Sequence, residues 1–433
     1  MASDSARAPA LNAPPLAELL CEATRLVAAV AAGRSLVGEL ERAAEEGELP
    51  RAALIDLTHG TLRRYGRVQA LEQQLETRGG TDPTVSALLW CSFYALDSGR
   101  YAPYTVVDQA VRASALLGRQ RAKGFVNAVL RRLLRDRSRI ETAIAADEQA
   151  RWWHPTWWIE AVRHSHPDKW QGVLESGNSR PPMALRVNLR RTSMREYQAR
   201  LMAEGLTAHP LAETTLMLER PVPVARLPGF LSGEVSVQDA GAQRAAPYLD
   251  LADGQRVLDA CAAPGGKSAH ILETAAVSLT ALDVDPLRSA QMERNFARLG
   301  LHARVKIADC TRIETWWDGT AFDRILADVP CSSSGVARRN PDIKWLRRQT
   351  DIAGFTIRQS AILDALWRVL APGGKLLYVT CSVFAEEDEA VIGAFCARMP
   401  QAHRLALPSG AATQLLPDAE HDGFYFALLA KRT

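Results

Sequence analysis

A chain of 433 residues is too long for one ordinary hydrophobic core, so two or three domains are expected. Its 47% apolar and 23% charged residues, with a mean hydropathy of -0.12, exclude a disordered chain and speak against a membrane protein. The net charge of +3 and pI near 8.5 are compatible with nucleic acid but do not select it.

In chain order, residues 1–15 are rich in Ala and Pro and lack the continuous apolar run of a signal peptide, so they read as a disordered tail. From 16 to 145 apolar residues recur at three and four, which predicts an all-α domain. One stripe gathers Phe125, Val126, Val129, Leu130, Leu133 and Leu134, and the opposite face carries Arg131, Arg132 and Arg135. That face is either solvated or basic toward RNA. Residues 146–180 read as a linker in which Trp152, Trp153, Trp157 and Trp158 surround a His-Pro step, suited to inter-domain core or to stacking on bases. Residues 181–236 alternate short strands and helices (Ala184–Leu189, Arg195–Glu204, Leu216–Leu218), a small α+β unit.

Over 237–433 strands alternate with helices, the pattern of a doubly wound, Rossmann-like α/β sheet. Expected strands are Arg256–Ala260, Leu279–Val284, Arg304–Ala308, Phe322–Ala327, Lys375–Thr380 and Phe424–Ala430, with helices Pro286–Leu299 and Thr356–Leu370 between them. The seven cysteines form no CxxC pair, so neither a disulfide framework nor a metal cluster is expected.

Five motifs carry chemistry. The first, DACAAPGGK over 259–267, follows a strand and opens a helix, where backbone amides face a ligand. It lacks the three spaced glycines of a dinucleotide fingerprint. A phosphate-binding loop would need glycine where Cys261 stands. A ligand read through its ribose and amino-acid ends, S-adenosylmethionine, is left. The second, ALDVD over 281–285, supplies a carboxylate for ribose hydroxyls, Asp283 ahead of Asp285. Third, Asp309 follows another strand, either holding the adenine or capping a helix. The fourth, DVPCSSSG over 328–335, and the fifth, VTCS over 379–382, bring Asp328, Cys331 and Cys381 to one sheet edge.

Cytosine C5 is a poor nucleophile until a thiolate adds at C6, after which an acid at N3 and a base at C5 complete the exchange. Cys381 is taken as the nucleophile, Asp328 as the N3 partner and Cys331 as the group that helps elimination. Downstream, Arg338, Arg339, Lys344, Trp345, Arg347 and Arg348 interleave charge with an aromatic, suited to phosphate contacts and base stacking or else a plain solvated charge run.

At these residues the chain resembles the NOL1/NOP2/Sun family of RNA cytosine-C5 methyltransferases, through DACAAPGGK, ALDVD, the acid of KIADC, DVPCSSSG with RRNPDIKW, and VTCS. The helical part resembles the RNA-binding factor NusB through TLRRYGRVQALE, APYTVVDQAV and KGFVNAVLRRLLR. The resemblance implies that Cys261, Ala262, Ala263, Pro264, Gly265, Gly266 and Lys267, with Asp283, Asp309 and Asp328, hold S-adenosylmethionine. It further implies Cys381 as nucleophile, Cys331 in product release, no metal, and a cytosine of 16S ribosomal RNA or an early small-subunit intermediate as target. A cytoplasmic monomer is expected. Three rivals stay open: a non-catalytic RNA-binding factor, which intact Cys331 and Cys381 oppose; a cytosine-C5 methyltransferase of another RNA such as transfer RNA; and a methyltransferase for exocyclic amines, which would want an (Asp/Asn)-Pro-Pro-aromatic loop.

Overall fold

A computed structural model of the chain describes residues 15–46, 49–75 and 81–432. The tail expected over 1–15 falls almost wholly outside them. The described residues divide into two compact units.

The first unit spans the N-terminal region to Glu160 and includes Asn340–Arg347. It is helical. Leu16–Ala31, Pro83–Asp97 and Pro103–Leu116 pack around a shared core that buries Leu20, Val27, Leu88, Phe93 and Val106 completely. Asp82 caps Pro83–Asp97 by accepting from the amides of Thr84 and Val85, and the proline at the first position has no amide to lose. The amphipathic stripe forms the helix Lys123–Arg135, which buries Val126, Val129, Leu130 and Leu133 and leaves Arg131 and Arg135 exposed. Helices also occupy much of the stretch read as a linker: Glu148–Trp152 in this unit, Thr156–Ser165 at its boundary, and Trp170–Asn178 in the second unit. Trp152 and Trp158 are buried.

The second unit holds two sheets. β1 (Met183–Val187), β2 (Ala208–Ala212), β3 (Thr215–Leu218) and β4 (Val235–Val237) form an antiparallel sheet in the order β2-β3-β1-β4. The helix Met194–Ala203, with a Ser193/Glu196 capping box, buries Tyr197 and Leu201 in the core of this sheet.

The larger sheet comprises β5 (Arg256–Asp259), β6 (Ser278–Asp283), β7 (Arg304–Ile307), β8 (Phe322–Asp328), β9 (Leu370–Thr380), β10 (Ala402–Leu405), β11 (Gln414–Leu415) and β12 (Phe424–Lys431). The main path runs β10-β12-β9-β8-β5-β6-β7, with β11 paired to β12. Strands β5 to β9 are parallel, while β12 is antiparallel to β9. From β5 the chain steps outward through β6 to β7, then returns to place β8 on the other side of β5. The order therefore reverses between β5 and β8, and in open α/β sheets ligands bind outside the carboxyl ends of the strands at such a point.

Candidate active site

The loop after β5 is built around its glycines. Gly265 has φ 90°, a left-handed conformation that a side chain resists, and a Cβ there would lie 2.6 Å from Met292. Its amide donates to the carbonyl of Ala262 at 2.7 Å, and the turn delivers the chain into the helix Gly266–Thr274. Cys261 is half-buried, Ala262 and Ala263 are buried, and Pro264 is exposed. Buried Asp283, at the end of β6, accepts from the amide of Ala263 at 3.0 Å and of Asp285 at 3.0 Å, which fixes the glycine loop against the neighbouring strand. Asp285 is committed elsewhere: its carboxylate caps the helix Pro286–Leu299 through the amides of Leu287 and Arg288.

Asp309 lies beyond β7 and accepts from the amide and hydroxyl of Thr311 at 2.9 and 2.7 Å. Burial works against its charge but is outweighed by these bonds and by Arg358 and Arg312, so its carboxyl titrates below the usual range. At the end of β8, Asp328 pairs with Lys267 from the glycine-loop helix. Burial disfavours the Lys267 ammonium, yet the Asp328 carboxylate more than compensates and holds its pKa above the ordinary value. Three carboxylates, one ammonium and a helix N-terminus thus converge at the switch point. This donor set fits a ligand that offers ribose hydroxyls and an amino-acid end.

The two thiols meet here as well. Val329 donates its amide to Val379 at 3.0 Å and Gly335 donates to the carbonyl of Cys381 at 2.8 Å, so the loops after β8 and β9 stay in register. Cys331 is buried, and its sulfur lies 3.3 Å from that of Cys381. The pair is asymmetric. The hydrogen bond from Cys331, then the Ser333 hydroxyl and the Lys267 charge, bring Cys381 below an ordinary thiol despite burial and Asp328. The same bond, with burial, the Cys381 charge and Glu387, pushes Cys331 well up. Of the two, Cys381 is the more acidic thiol. This supplies the activation that sequence alone left unassigned.

The downstream basic run is placed otherwise than expected. In the second unit Arg338 is 1% exposed and pairs with Asp422, itself fully buried; Arg339 bonds to Asp422, to Asp239 at 2.8 Å and to the carbonyl of Pro182. In the first unit Lys344 is 0% exposed and donates to the carbonyls of Arg63 and Trp153 at 3.1 and 2.8 Å. Burial, then Arg63, drives its pKa well below that of a free lysine. Trp345 donates from its indole to Leu62 at 2.8 Å and packs edge-on to Tyr65 at 5.0 Å. The reading of these four as a solvent-facing set for phosphate contact and base stacking is corrected: their charges and ring are committed to internal partners.

Other residues near the site are given no role by the sequence. Arg288 donates to the carbonyl of Ala263, and Cys310 shares a hydrogen bond with Cys261 that pushes the latter's thiol well up. Asp259 is buried, accepts from Ser268 at 2.6 Å, and is raised by burial to about 7. Among the described residues no cluster suited to a metal ion occurs, and no helix is long and apolar enough to cross a membrane.

Family models match in the order of the architecture: the NusB family over 23–135, a ferredoxin-like domain of RsmF/B-type methyltransferases over 154–225, and the 16S rRNA methyltransferase RsmB/F over 246–430. Ribosomal RNA small subunit methyltransferase B of Vibrio cholerae is 41% identical over 419 residues, covering 95% of this chain and 96% of that protein. The same-named protein of Salmonella typhi is 39% identical and covers 96% and 99%. Among solved structures, that of PH0851 superposes with a TM-score of 0.78 at 22% identity, covering 97% of this chain and 100% of the other. A methyltransferase homologue from Pyrococcus horikoshii gives 0.58 at 28% identity, covering 66% and 98%. The helical domain is thus NusB-like, the small sheet ferredoxin-like and the large sheet that of a methyltransferase. With this identity sustained along nearly its whole length, the chain belongs to the ribosomal RNA small subunit methyltransferase B family.

Proposed function

We propose that this chain transfers a methyl group from S-adenosylmethionine to C5 of a cytosine in 16S ribosomal RNA through a covalent bond between Cys381 and C6 of the base. The observation that carries the reading is the thiol pair, 3.3 Å apart and unequal in proton affinity, beside Asp328. Its placement suits a nucleophile with a second thiol in reserve.

S-adenosylmethionine supplies the electrophilic methyl. Asp283, Asp309, Asp328 and the glycine loop would hold it at the switch point. The Cys381 thiolate adds to C6, and N3, where charge builds, takes a proton that the Lys267 ammonium supplies by way of the Asp328 carboxyl. C5, now enamine-like, would take the methyl as the sulfonium S–CH3 bond breaks, with S-adenosylhomocysteine as the leaving group. Formation of the thioether removes the charge on Cys381 that had kept Cys331 protonated, so Cys331 becomes easier to ionise once the adduct exists. It then loses its proton to solvent and, as a thiolate, takes the C5 proton; the C6–sulfur bond breaks as N3 gives its proton back, and the Cys381 thiolate and Cys331 thiol are regenerated. Because the thiols exchange roles only after the adduct forms, one pair serves both halves of the reaction.

The test is incubation with 16S ribosomal RNA and methyl-labelled S-adenosylmethionine, followed by bisulfite mapping. One newly protected cytosine, lost in Cys381→Ala, is expected. Cys331→Ala should accumulate protein crosslinked to RNA on a denaturing gel, whereas unchanged turnover in Cys381→Ala would remove that thiol as nucleophile.

A further inference from the structure

The run Glu386, Glu387, Asp388, Glu389 follows the Cys381 turn, and sequence gives it no role. In the fold Glu387 is 0% exposed, behind both thiol loops. One carboxylate oxygen accepts from the amide of Ser332, the residue after Cys331, at 2.8 Å. The other accepts from the hydroxyl of Ser382, the residue after Cys381, at 2.9 Å. The side-chain amide of Gln359, on the helix Gln349–Val369, donates to the first oxygen at 3.1 Å and to the carbonyl of Pro330, just before Cys331, at 3.0 Å. The Glu387 carbonyl accepts from Tyr378 of β9 at 2.7 Å, which anchors the acid to the strand that ends at the nucleophile.

We propose, building on the two-thiol reading above, that Glu387 is a positioning residue that sets the separation of Cys331 and Cys381 by clamping both of the loops that carry them. A buried carboxylate is costly unless its lone pairs are satisfied, and here the satisfying donors come from each loop and from the helix behind. Neither loop can shift without breaking a charge-assisted bond. Serine hydroxyls extend the clamp: Ser334 meets Ser332 at 3.1 Å and Ser382 at 3.1 Å, and accepts from the amide of Val383 at 2.8 Å. Burial raises the Glu387 carboxyl against these bonds, and Asp388, beside it, is separately engaged by the hydroxyl of Thr380. Glu387 touches neither thiol in this set of bonds; it acts through the backbone.

The distance between the thiols is measurable without the methyl-transfer reaction. Phenylarsine oxide is bridged by two thiols held close together and binds a single thiol weakly. Because Cys261 and Cys310 form a second close pair, the measurements are made on full-length protein carrying Cys310→Ser, which should bind it tightly, while adding Cys381→Ser should abolish tight binding and so assign the signal to the Cys331 and Cys381 pair. In Glu387→Ala the affinity for the arsenical should fall ~10-fold or more and kcat by ~10- to 100-fold, the scale expected of a misplacement near 1 Å. The melting temperature should fall, because three buried donors lose their acceptor, while the folded variant's affinity for S-adenosylmethionine should change little. Glu387→Gln keeps one acceptor oxygen for Ser332 and Gln359 and should recover most of both losses. Should Glu387→Ala not fold, Ser382→Ala removes one arm of the clamp and should show the arsenical loss alone. Wild-type arsenical affinity in both Glu387→Gln and Ser382→Ala, or in a folded Glu387→Ala, would overturn the clamp. If arsenical binding falls but the wild type forms no 5-methylcytosine, the clamp stands and the reaction assigned above fails. If methylation is confirmed and arsenical affinity is unmoved, the reverse holds.

Discussion

Arg186→Met tests how the small sheet supports the cofactor loop. Arg186, in β1, is 1% exposed and grips the Glu273 carboxylate, itself 5% exposed, with two bonds of 2.8 and 2.9 Å. A third bond, 2.8 Å, reaches the carbonyl of Gly266, the first residue of the helix that carries Lys267, and a fourth reaches Gln238. Methionine keeps the apolar stem and removes every donor. Glu273 is then left buried without its partner, which costs about 3–5 kcal/mol. For a domain of this size each kcal/mol moves the melting temperature by roughly 2–4 °C, so a drop of about 10 °C is expected by circular dichroism. Freed from its restraint at Gly266, the loop should also bind S-adenosylmethionine several-fold more weakly by calorimetry. Arg186→Met with Glu273→Leu replaces the whole pair by apolar volume and should recover most of the stability. A single-variant loss below about 1 kcal/mol, or a double variant no more stable than the single, would refute this account of the bridge.

Three further outcomes are expected. Iodoacetamide should alkylate Cys381 with an inflection below that of an ordinary thiol. Reactivity should be retained at higher pH and lost as pH falls through that lowered pKa; Cys331→Ala removes the largest cause of the lowering and should move the inflection up and slow the reaction at neutral pH. Asp283→Ala should weaken S-adenosylmethionine binding by roughly 10- to 100-fold in calorimetry, the worth of one or two bonds to a charged group, with a smaller loss of stability from the freed Ala263 amide. Lys344→Met should leave the salt dependence of RNA affinity unchanged in filter binding, because a buried ammonium displaces no counterions; each lost phosphate contact would instead flatten the log-log slope by about 0.7.

The elements legible in the sequence are those with local punctuation. Pro286–Leu299 is bounded by a capping Asp285, a proline at its first position and Gly300 at φ 66°, and its expected limits match the fold residue for residue. The central strands are apolar runs, and their expected ends differ by a residue or so. β2 escaped because an edge strand with a proline, largely exposed, shows no alternation. The first part of β9 escaped because Pro372, Gly373 and Gly374 read as a turn. In the candidate site, sequence brought the acids and the two thiols to one edge because each ends a strand. It could not foresee that Arg338 is neutralised by Asp422, 84 residues onward, or that Glu387 lies behind both thiol loops. Burial of charge depends on partners distant in the chain, and no local pattern reports it.

Cys381 follows directly from a strand held on both sides, by β8 through parallel bonds and by β12 through antiparallel ones, and Tyr378, Val379 and Thr380 before it are wholly buried. A thiol mounted on the middle of a sheet has almost no reach of its own. In the reaction proposed above, all of the travel would therefore fall to the nucleic acid: a cytosine stacked inside a duplex would stay beyond the thiol, and only a base swung free of its neighbours would arrive. A preference for unpaired cytosines would in that sense be a mechanical property of the sheet, present before any side chain has read a sequence.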